Sequence, residues 1–303
     1  MQKLILQTEN LTKNFSNFQA VNRVCMNIHQ GDIYGFIGEN GAGKTTFMRM
    51  IAGLAAPTAG SIRLFGSDNL QAGRKKMGCT IETPSLYNNM TARENMEIFR
   101  KAFGVVDRKC IDRILQLMDL NNAGKKHVGN FSLGMRQRLA IAIALLDEPM
   151  FLVLDEPING LDPVGIQELR ALLIRLNQEK NITLLISSHI LEELSKIATR
   201  YGIIHKGTLI MELSADEFQE KCERRLIIRV NDTEKAITSL KNQLGITHAI
   251  TISPHVISLS EYIEQSEIVI ETLFKNGVKL FEATIQEENL ENYFNEIIRG
   301  GQK

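Results

Sequence analysis

The run Gly38-Glu39-Asn40-Gly41-Ala42-Gly43-Lys44-Thr45-Thr46 fits the spacing G-x-x-x-x-G-K-[ST]. Its chemistry is phosphate binding. Glycines at 38, 41 and 43 let backbone N–H groups turn inward around phosphate oxygens, and a helix starting just beyond them adds the partial positive charge of its N-terminus. Lys44 supplies a cation to the phosphates, and the Thr45 hydroxyl is a Mg²⁺ ligand of the right type. Farther along, Phe151-Leu152-Val153-Leu154 is an apolar run ending in Asp155-Glu156-Pro157. Two carboxylates at the C-terminal end of a buried strand stand where α/β sheets bind ligands. They can divide the work, Asp155 holding Mg²⁺ through water and Glu156 polarising the water that attacks a γ-phosphate. The phosphate loop is the strongest signal in the chain; the strand ending in two acids says little alone and becomes specific when paired with it.

These side chains need a scaffold that brings distant loops to one edge. Asp32–Ile37 has the composition of a buried strand before the glycine-rich turn, and a helical pattern follows over Thr45–Leu54. Short strands are expected at Lys3–Gln7, Val21–Ile28, Ser61–Phe65 and Met77–Ile81, with Pro57-Thr58-Ala59-Gly60 as a turn signal. The period then becomes helical over Ala92–Phe103, Asp107–Met118 and Ser132–Leu146. Strand-like runs return at Phe151–Leu154, Thr183–Ser187 and Tyr201–His205, with helices between. The alternation predicts an α/β domain over residues 1–222: a parallel core sheet, antiparallel N-terminal strands and a helical insertion at about 90–148. A helix near Ser214–Cys222, opened by the capping-box pair Ser214 and Glu217, closes it.

Residues 223–303 read as strand from Leu226, helix (Thr233–Leu244), two short strands around Pro254, helix (Tyr262–Asn276), strand (Val278–Ile285) and helix (Leu290–Ile298). That β-α-β-β-α-β order suggests a small ferredoxin-like α+β domain. Acidic residues outnumber basic ones here, the reverse of the rest. Its last helix carries Leu290, Tyr293, Phe294, Ile297 and Ile298 on one face, expected to pack on the small sheet, the alternative being a regulatory or dimer-stabilising role.

Of the 303 residues, 44% are hydrophobic and 23% charged, and 35 basic side chains balance 35 acidic ones. Such a chain folds as a globular protein and lacks the basic footprint of a general nucleic-acid binder. No stretch approaches the roughly 20 apolar residues that span a bilayer. The most apolar region, Leu139–Leu154, is broken by Asp147, Glu148 and Pro149, and Met1–Thr12 reads as a strand, not a signal peptide. Cys25, Cys79, Cys110 and Cys222 lie far apart without a C-x-x-C pair and read as reduced thiols. A cytoplasmic protein is expected, reaching any membrane through a partner.

With these motifs in this order, residues 1–220 resemble the nucleotide-binding subunit of an ABC transporter. Phe131-Ser132-Leu133-Gly134-Met135 stands at a helix start, where that family carries the signature L-S-G-G-Q. The resemblance implies that Ser132 and Gly134 touch the γ-phosphate of ATP held by a second subunit; Leu133 and Met135 depart from the pattern, and Ser132 is also a natural N-cap. Asn159-Gly160-Leu161-Asp162 resembles the D-loop, which places Asp162 at a dimer interface. His189, in Ser187-Ser188-His189, matches the switch histidine that senses the γ-phosphate. Phe15 is close to the aromatic that stacks on adenine, although Phe18 is nearby and either ring is also a core candidate.

The most informative departure is Glu82, in Thr80-Ile81-Glu82-Thr83-Pro84-Ser85-Leu86-Tyr87, where the family usually has glutamine. Glutamate keeps an oxygen for the metal, loses the amide N–H donors and adds a negative charge. This E-loop, with the Ser-Leu-Gly-Met signature and Asp155-Glu156-Pro157-Ile158-Asn159-Gly160, resembles the ATPases of lantibiotic-immunity and bacitracin-resistance exporters.

The resemblance implies an ATPase on the cytoplasmic face of a bacterial membrane that powers export of an antimicrobial peptide. ATP and Mg²⁺ are its implied ligands. Gly38, Asn40, Gly41, Gly43, Lys44, Thr45 and Thr46 would surround the phosphates, and Thr45, Glu82 and Asp155 the metal. Glu156, His189 and Lys44 would carry hydrolysis. Two copies would close head to tail over two nucleotides and drive separate permease subunits, with no nucleic acid involved. Glu82 is expected to couple closure to the permease, the plainer alternative being a solvated loop carboxylate. Three rival functions are export of another amphipathic drug or lipid, a soluble ABC-type ATPase acting on ribosomes or DNA, and a nucleotide sensor that does not hydrolyse.

Overall fold

The computed structural model describes residues 3–82, 86–221 and 224–286. The chain divides into two compact units, Met1–Ala215 and Asp216–Lys303. That division falls at the start of the helix expected to close the first domain, not at its end. Cys222 and the helix expected at Leu290–Ile298 lie outside the described residues.

The first unit opens with a long hairpin, β1 (Leu4–Phe15) and β2 (Phe18–His29), whose last pair is Phe15 opposite Phe18. The chain continues through β3 (Ile33–Ile37), α1 (Lys44–Ala52), β4 (Ala59–Leu64), α2 (Leu70–Arg74) and β5 (Met77–Thr80). Three helices follow: α3 (Ala92–Ala102), α4 (Cys110–Leu117) and α5 (Leu133–Ala144). The unit ends with β6 (Phe151–Leu154), α6 (Pro163–Lys180), β7 (Thr183–Ser188), α7 (Leu191–Ser195), β8 (Arg200–His205) and β9 (Thr208–Ser214). β4 pairs antiparallel with β1, making a three-stranded sheet in the order β2-β1-β4. The main sheet runs β5-β6-β7-β3-β8-β9, parallel except for β9, which turns back antiparallel on β8.

Every residue of β3, β6 and β7 is buried, as in parallel strands covered on both faces. Phe47, Met48, Met50 and Ile51 of α1 join Phe36, Phe151, Val153, Leu185 and Ile204 in one core cluster. The helix that begins at Lys44 is therefore clamped to the sheet by its apolar side, which fixes the loop ahead of it. At the start of the helical segment, Thr91 caps α3 in a reciprocal pair with Glu94 (N–H to oxygen distances of 3.2 and 2.8 Å).

The second unit contains α8 (Ala215–Lys221, its first residue within unit one), β10 (Arg225–Val230), α9 (Thr233–Leu244), β11 (Ala249–Ser253), β12 (Val256–Leu259), α10 (Ser266–Lys275) and β13 (Leu280–Gln286). Its sheet runs β11-β12-β10-β13 with antiparallel neighbours throughout. Leu226, Ile228, Ile257 and Leu259 of the sheet pack with Ala236, Leu240, Val269 and Leu273 of α9 and α10 in a separate core. Among the described residues, no helix is long and apolar enough to cross a membrane.

Candidate functional site

Gly38 follows the last residue of β3, and Lys44 opens α1. Between them the loop packs so closely that side chains are excluded. A Cβ at Gly43 (φ 108°) would lie 2.3 Å from the Ala20 carbonyl oxygen, and one at Gly38 would lie 2.5 Å from that of Ile204. Glycine is required at both places, while Asn40 is exposed at the tip and Gly41 takes φ 82°. No side chain caps α1 and its first turn holds no acidic residue, so its leading N–H groups are left for an anion. Lys44 is only 5% exposed. Its ammonium donates to the carbonyls of Gly38 (2.5 Å) and Glu39 (3.2 Å) and stands 3.2 Å from Glu156 Oε1.

The two acids arrive from β6, whose ladder continues as the Asp155 N–H donates to the Thr80 carbonyl at 2.9 Å. The Asp155 carboxylate accepts the Thr45 hydroxyl at 2.8 Å and the Ser187 hydroxyl at 2.5 Å. Glu156 adopts φ 48°, unusual for a residue with a Cβ. Its N–H donates to Ser187 Oγ at 2.8 Å, and its carboxylate lies between Lys44 and His189, whose Nδ1 is 2.8 Å from Oε2. Lys44, Thr45, Asp155, Glu156 and His189 thus form one connected network. Ser187, fully buried on β7, joins the two acids, a role that no motif in the sequence announces. The signal is the pairing of β6 with β7, Leu154 opposite Ile186, which sets residue 187 beside residue 155.

Thr45 and Asp155 are hard oxygen donors in contact, a set suited to Mg²⁺. Among the described residues no group of three or more His, Cys, Asp or Glu could hold a metal ion, so such an ion would take its remaining ligands from phosphates and water, as Mg²⁺ commonly does. Glu82, at φ 66°, pairs instead with the guanidinium of Arg49 on α1. The structure therefore does not bring Glu82 onto the Thr45–Asp155 pair. Phe15 and Phe18 are 44% and 63% exposed and stack on each other with centroids 5.3 Å apart. Neither ring is core; they present an aromatic platform. Phe15, Thr46, Arg49 and Glu82 line one hollow.

Ser132 caps α5, its hydroxyl accepting the Met135 N–H at 3.2 Å, and Asp162 caps α6, accepting the Gly165 N–H at 3.2 Å. The two segments are neighbours, since a Cβ at Gly134 would lie 3.7 Å from Leu161 and one at Gly160 would lie 3.1 Å from Leu133. Ser132 and Asp162 are not buried. Among the described residues no hydrogen bond or ion pair joins Ser132, Gly134 or Asp162 to the phosphate loop of the same chain.

Residues 21–159 match the family model described as ABC transporter. The chain is 40% identical over 300 residues to the bacitracin transport ATP-binding protein BcrA of Bacillus licheniformis, covering 98% of each. It is 42% identical over 212 residues to the lantibiotic transport ATP-binding protein SrtF of Streptococcus pyogenes, covering 70% of this chain and 92% of that one. Among solved structures, a dimeric post-hydrolysis ATP-binding cassette bound to ADP and Pi superposes with a TM-score of 0.63 at 25% identity, covering 70% of this chain and 99% of the other. An alignment that runs end to end at this identity supports one conclusion: the chain belongs to the ATP-binding subunits of ABC transporters, whose ATP hydrolysis is coupled to transport.

Proposed function

We propose that this subunit energises export of an antimicrobial peptide of the bacitracin or lantibiotic class from a bacterial membrane, giving resistance or immunity. The observation that carries this reading is the end-to-end 40% identity to a bacitracin transport ATP-binding protein, which extends through both compact units.

The phosphates of ATP rest on the N–H groups of the loop from Gly38 to Thr46, and Lys44 exchanges its two carbonyl partners for phosphate oxygens. Thr45 and Asp155 would hold Mg²⁺, which when bound would supply charge neutralisation to the phosphates. Ser187 keeps Asp155 and the Glu156 backbone in fixed relation. Glu156 takes the proton of the attacking water; its carboxylate is held on one side by Lys44 and on the other by His189. The Nδ1 bond to Glu156 leaves Nε2 of His189 as the ring nitrogen available to the γ-phosphate. The Phe15–Phe18 platform receives the adenine.

The Ser132, Gly134 and Asp162 segments complete the site of a second copy, so two chains close head to tail over two nucleotides, a reading the dimeric neighbour supports. Closure and reopening drive separate permease subunits, and the protein is peripheral to the cytoplasmic face through them. The test is purification of the tagged chain from native membranes with mass identification of the proteins recovered alongside it. One or two polytopic membrane proteins are expected; repeated recovery of ribosomal or DNA-bound proteins instead would overturn the transport reading.

A further inference from the structure

We propose that Arg49 is a positioning residue, the counter-ion that lets a glutamate stand at position 82 beside a bound nucleoside triphosphate. The inference rests on the nucleotide-site reading above and concerns the charge that Glu82 brings to it. Asp155 and Glu156 already place two carboxylates at the phosphate loop, where the incoming ligand is a polyanion. A glutamine at position 82 would add no charge; a glutamate adds one more negative charge.

Three observations place Arg49 as the compensating group. Its guanidinium donates directly to Glu82 Oε1. It lies four residues after Thr45 on α1, so the two share one helix face and the cation projects from the side that carries the metal-type hydroxyl. Arg49 and Glu82 also line the same hollow as Phe15 and Thr46, so the pair borders the nucleotide's own space. On the other side of the pair, Glu82 takes φ 66°, a left-handed conformation unusual for a residue with a Cβ.

Both side chains are substantially exposed, 41% and 58%, and an exposed pair contributes little to folding. The role is therefore on ligand charge, not on the fold. With Arg49 neutralised, Glu82 repels the nucleotide phosphates; with Glu82 also neutralised, that repulsion is gone.

The test is equilibrium binding of a fluorescent ATP analogue to the full chain, with and without Mg²⁺, in a Glu156→Gln background so that no hydrolysis intrudes. Arg49→Met is expected to weaken binding about fivefold, a shift set by one uncompensated charge at a partly solvated site. Arg49→Lys keeps the charge and most of the affinity. Adding Glu82→Gln to Arg49→Met is expected to return affinity to that of Glu82→Gln alone. An Arg49→Met effect of the same size whether residue 82 is Glu or Gln would overturn the proposal, as would no effect at all. If the background protein itself binds no analogue while its unfolding transition is intact, the nucleotide-site reading fails instead.

Discussion

Replacing Ser187 by alanine removes the one hydroxyl that ties both acidic residues to β7. In the native structure it donates to Asp155 at 2.5 Å and accepts the Glu156 N–H at 2.8 Å, with no solvent exposure. The first bond is charge-assisted, in a class worth about 1.5–3 kcal/mol, and losing the second leaves an N–H without its acceptor. Thr45 still holds the other oxygen of Asp155, so the acid is loosened, not released. We take about 2 kcal/mol as the net cost. Expressed in the transition state, that is roughly a 30-fold fall in kcat; expressed in stability, it lowers Tm by about 4–8 °C for a domain of this size. KM for ATP should move much less, because the phosphate loop keeps its own contacts. Steady-state phosphate release and thermal unfolding separate the two effects. Ser188→Ala is the control, since that buried hydroxyl bonds to the Ile190 backbone and to neither acid; it should cost stability and leave kcat near wild type. A Ser187→Ala enzyme with unchanged kcat would refute the view that Ser187 positions the acids.

Four further outcomes are expected from the same geometry. Gly43→Ala places a methyl group 2.3 Å from the Ala20 carbonyl at φ 108°, and should destabilise the protein by about 3 kcal/mol and abolish ATP binding in a calorimetric titration. Burial raises the Asp32 carboxyl above its ordinary value, outweighing the lowering by the His29 N–H. Its stabilising contribution is thus complete below the unfolded value near 3.9 and lost as pH rises through the folded one, so Asp32→Asn should gain more Tm over wild type at pH 7 than at pH 4, and an equal difference at both would contradict this. Glu82→Ala should reduce peptide protection in cells more than basal ATPase activity; equal losses would indicate a purely catalytic role. A chain ending at residue 221 should keep its ATPase activity, because the second unit has its own core and the alignment to SrtF, at 92% of that protein, needs only 70% of this chain.

The phosphate loop is legible in the sequence because its chemistry is local: glycine spacing, one lysine and two hydroxyls within nine residues. The buried strands β3 and β6 are legible for a similar reason, their apolar runs, and β7 is legible from Leu184, Leu185 and Ile186 between its hydroxyl residues. Two smaller elements of the main unit are harder to read. β9 follows β8 through a tight turn but is only half-buried at an edge, so it carries no clean alternation, and α2 is too short to show a helical period. The β1–β2 hairpin extends well past the expected strands because its distal half is more polar and exposed, held by backbone pairing out to Phe15 and Phe18. Ser187 and Arg49 are hidden for a different reason. Each acts on a residue more than thirty positions away, Ser187 through the β6–β7 register and Arg49 through the placement of the loop that follows β5. A serine and an arginine carry no spacing signal of their own. Phe15 and Phe18 are indistinguishable from core residues in the sequence, and only their exposure in the fold shows both rings at the surface.

The central claim is that hydrolysis centred on Glu156 powers removal of an antimicrobial peptide. It is tested most directly by the growth-inhibitory concentration of bacitracin and of a lantibiotic for cells making the chain with its permease subunits, either as wild type or as Glu156→Gln. The account predicts that the wild type raises the inhibitory concentration for one of these peptides and that Glu156→Gln, which should slow hydrolysis by about 10²–10⁴-fold, returns it to that of cells lacking the transporter. Protection by Glu156→Gln equal to the wild type, or no protection against either peptide from a wild-type complex that hydrolyses ATP, would contradict it.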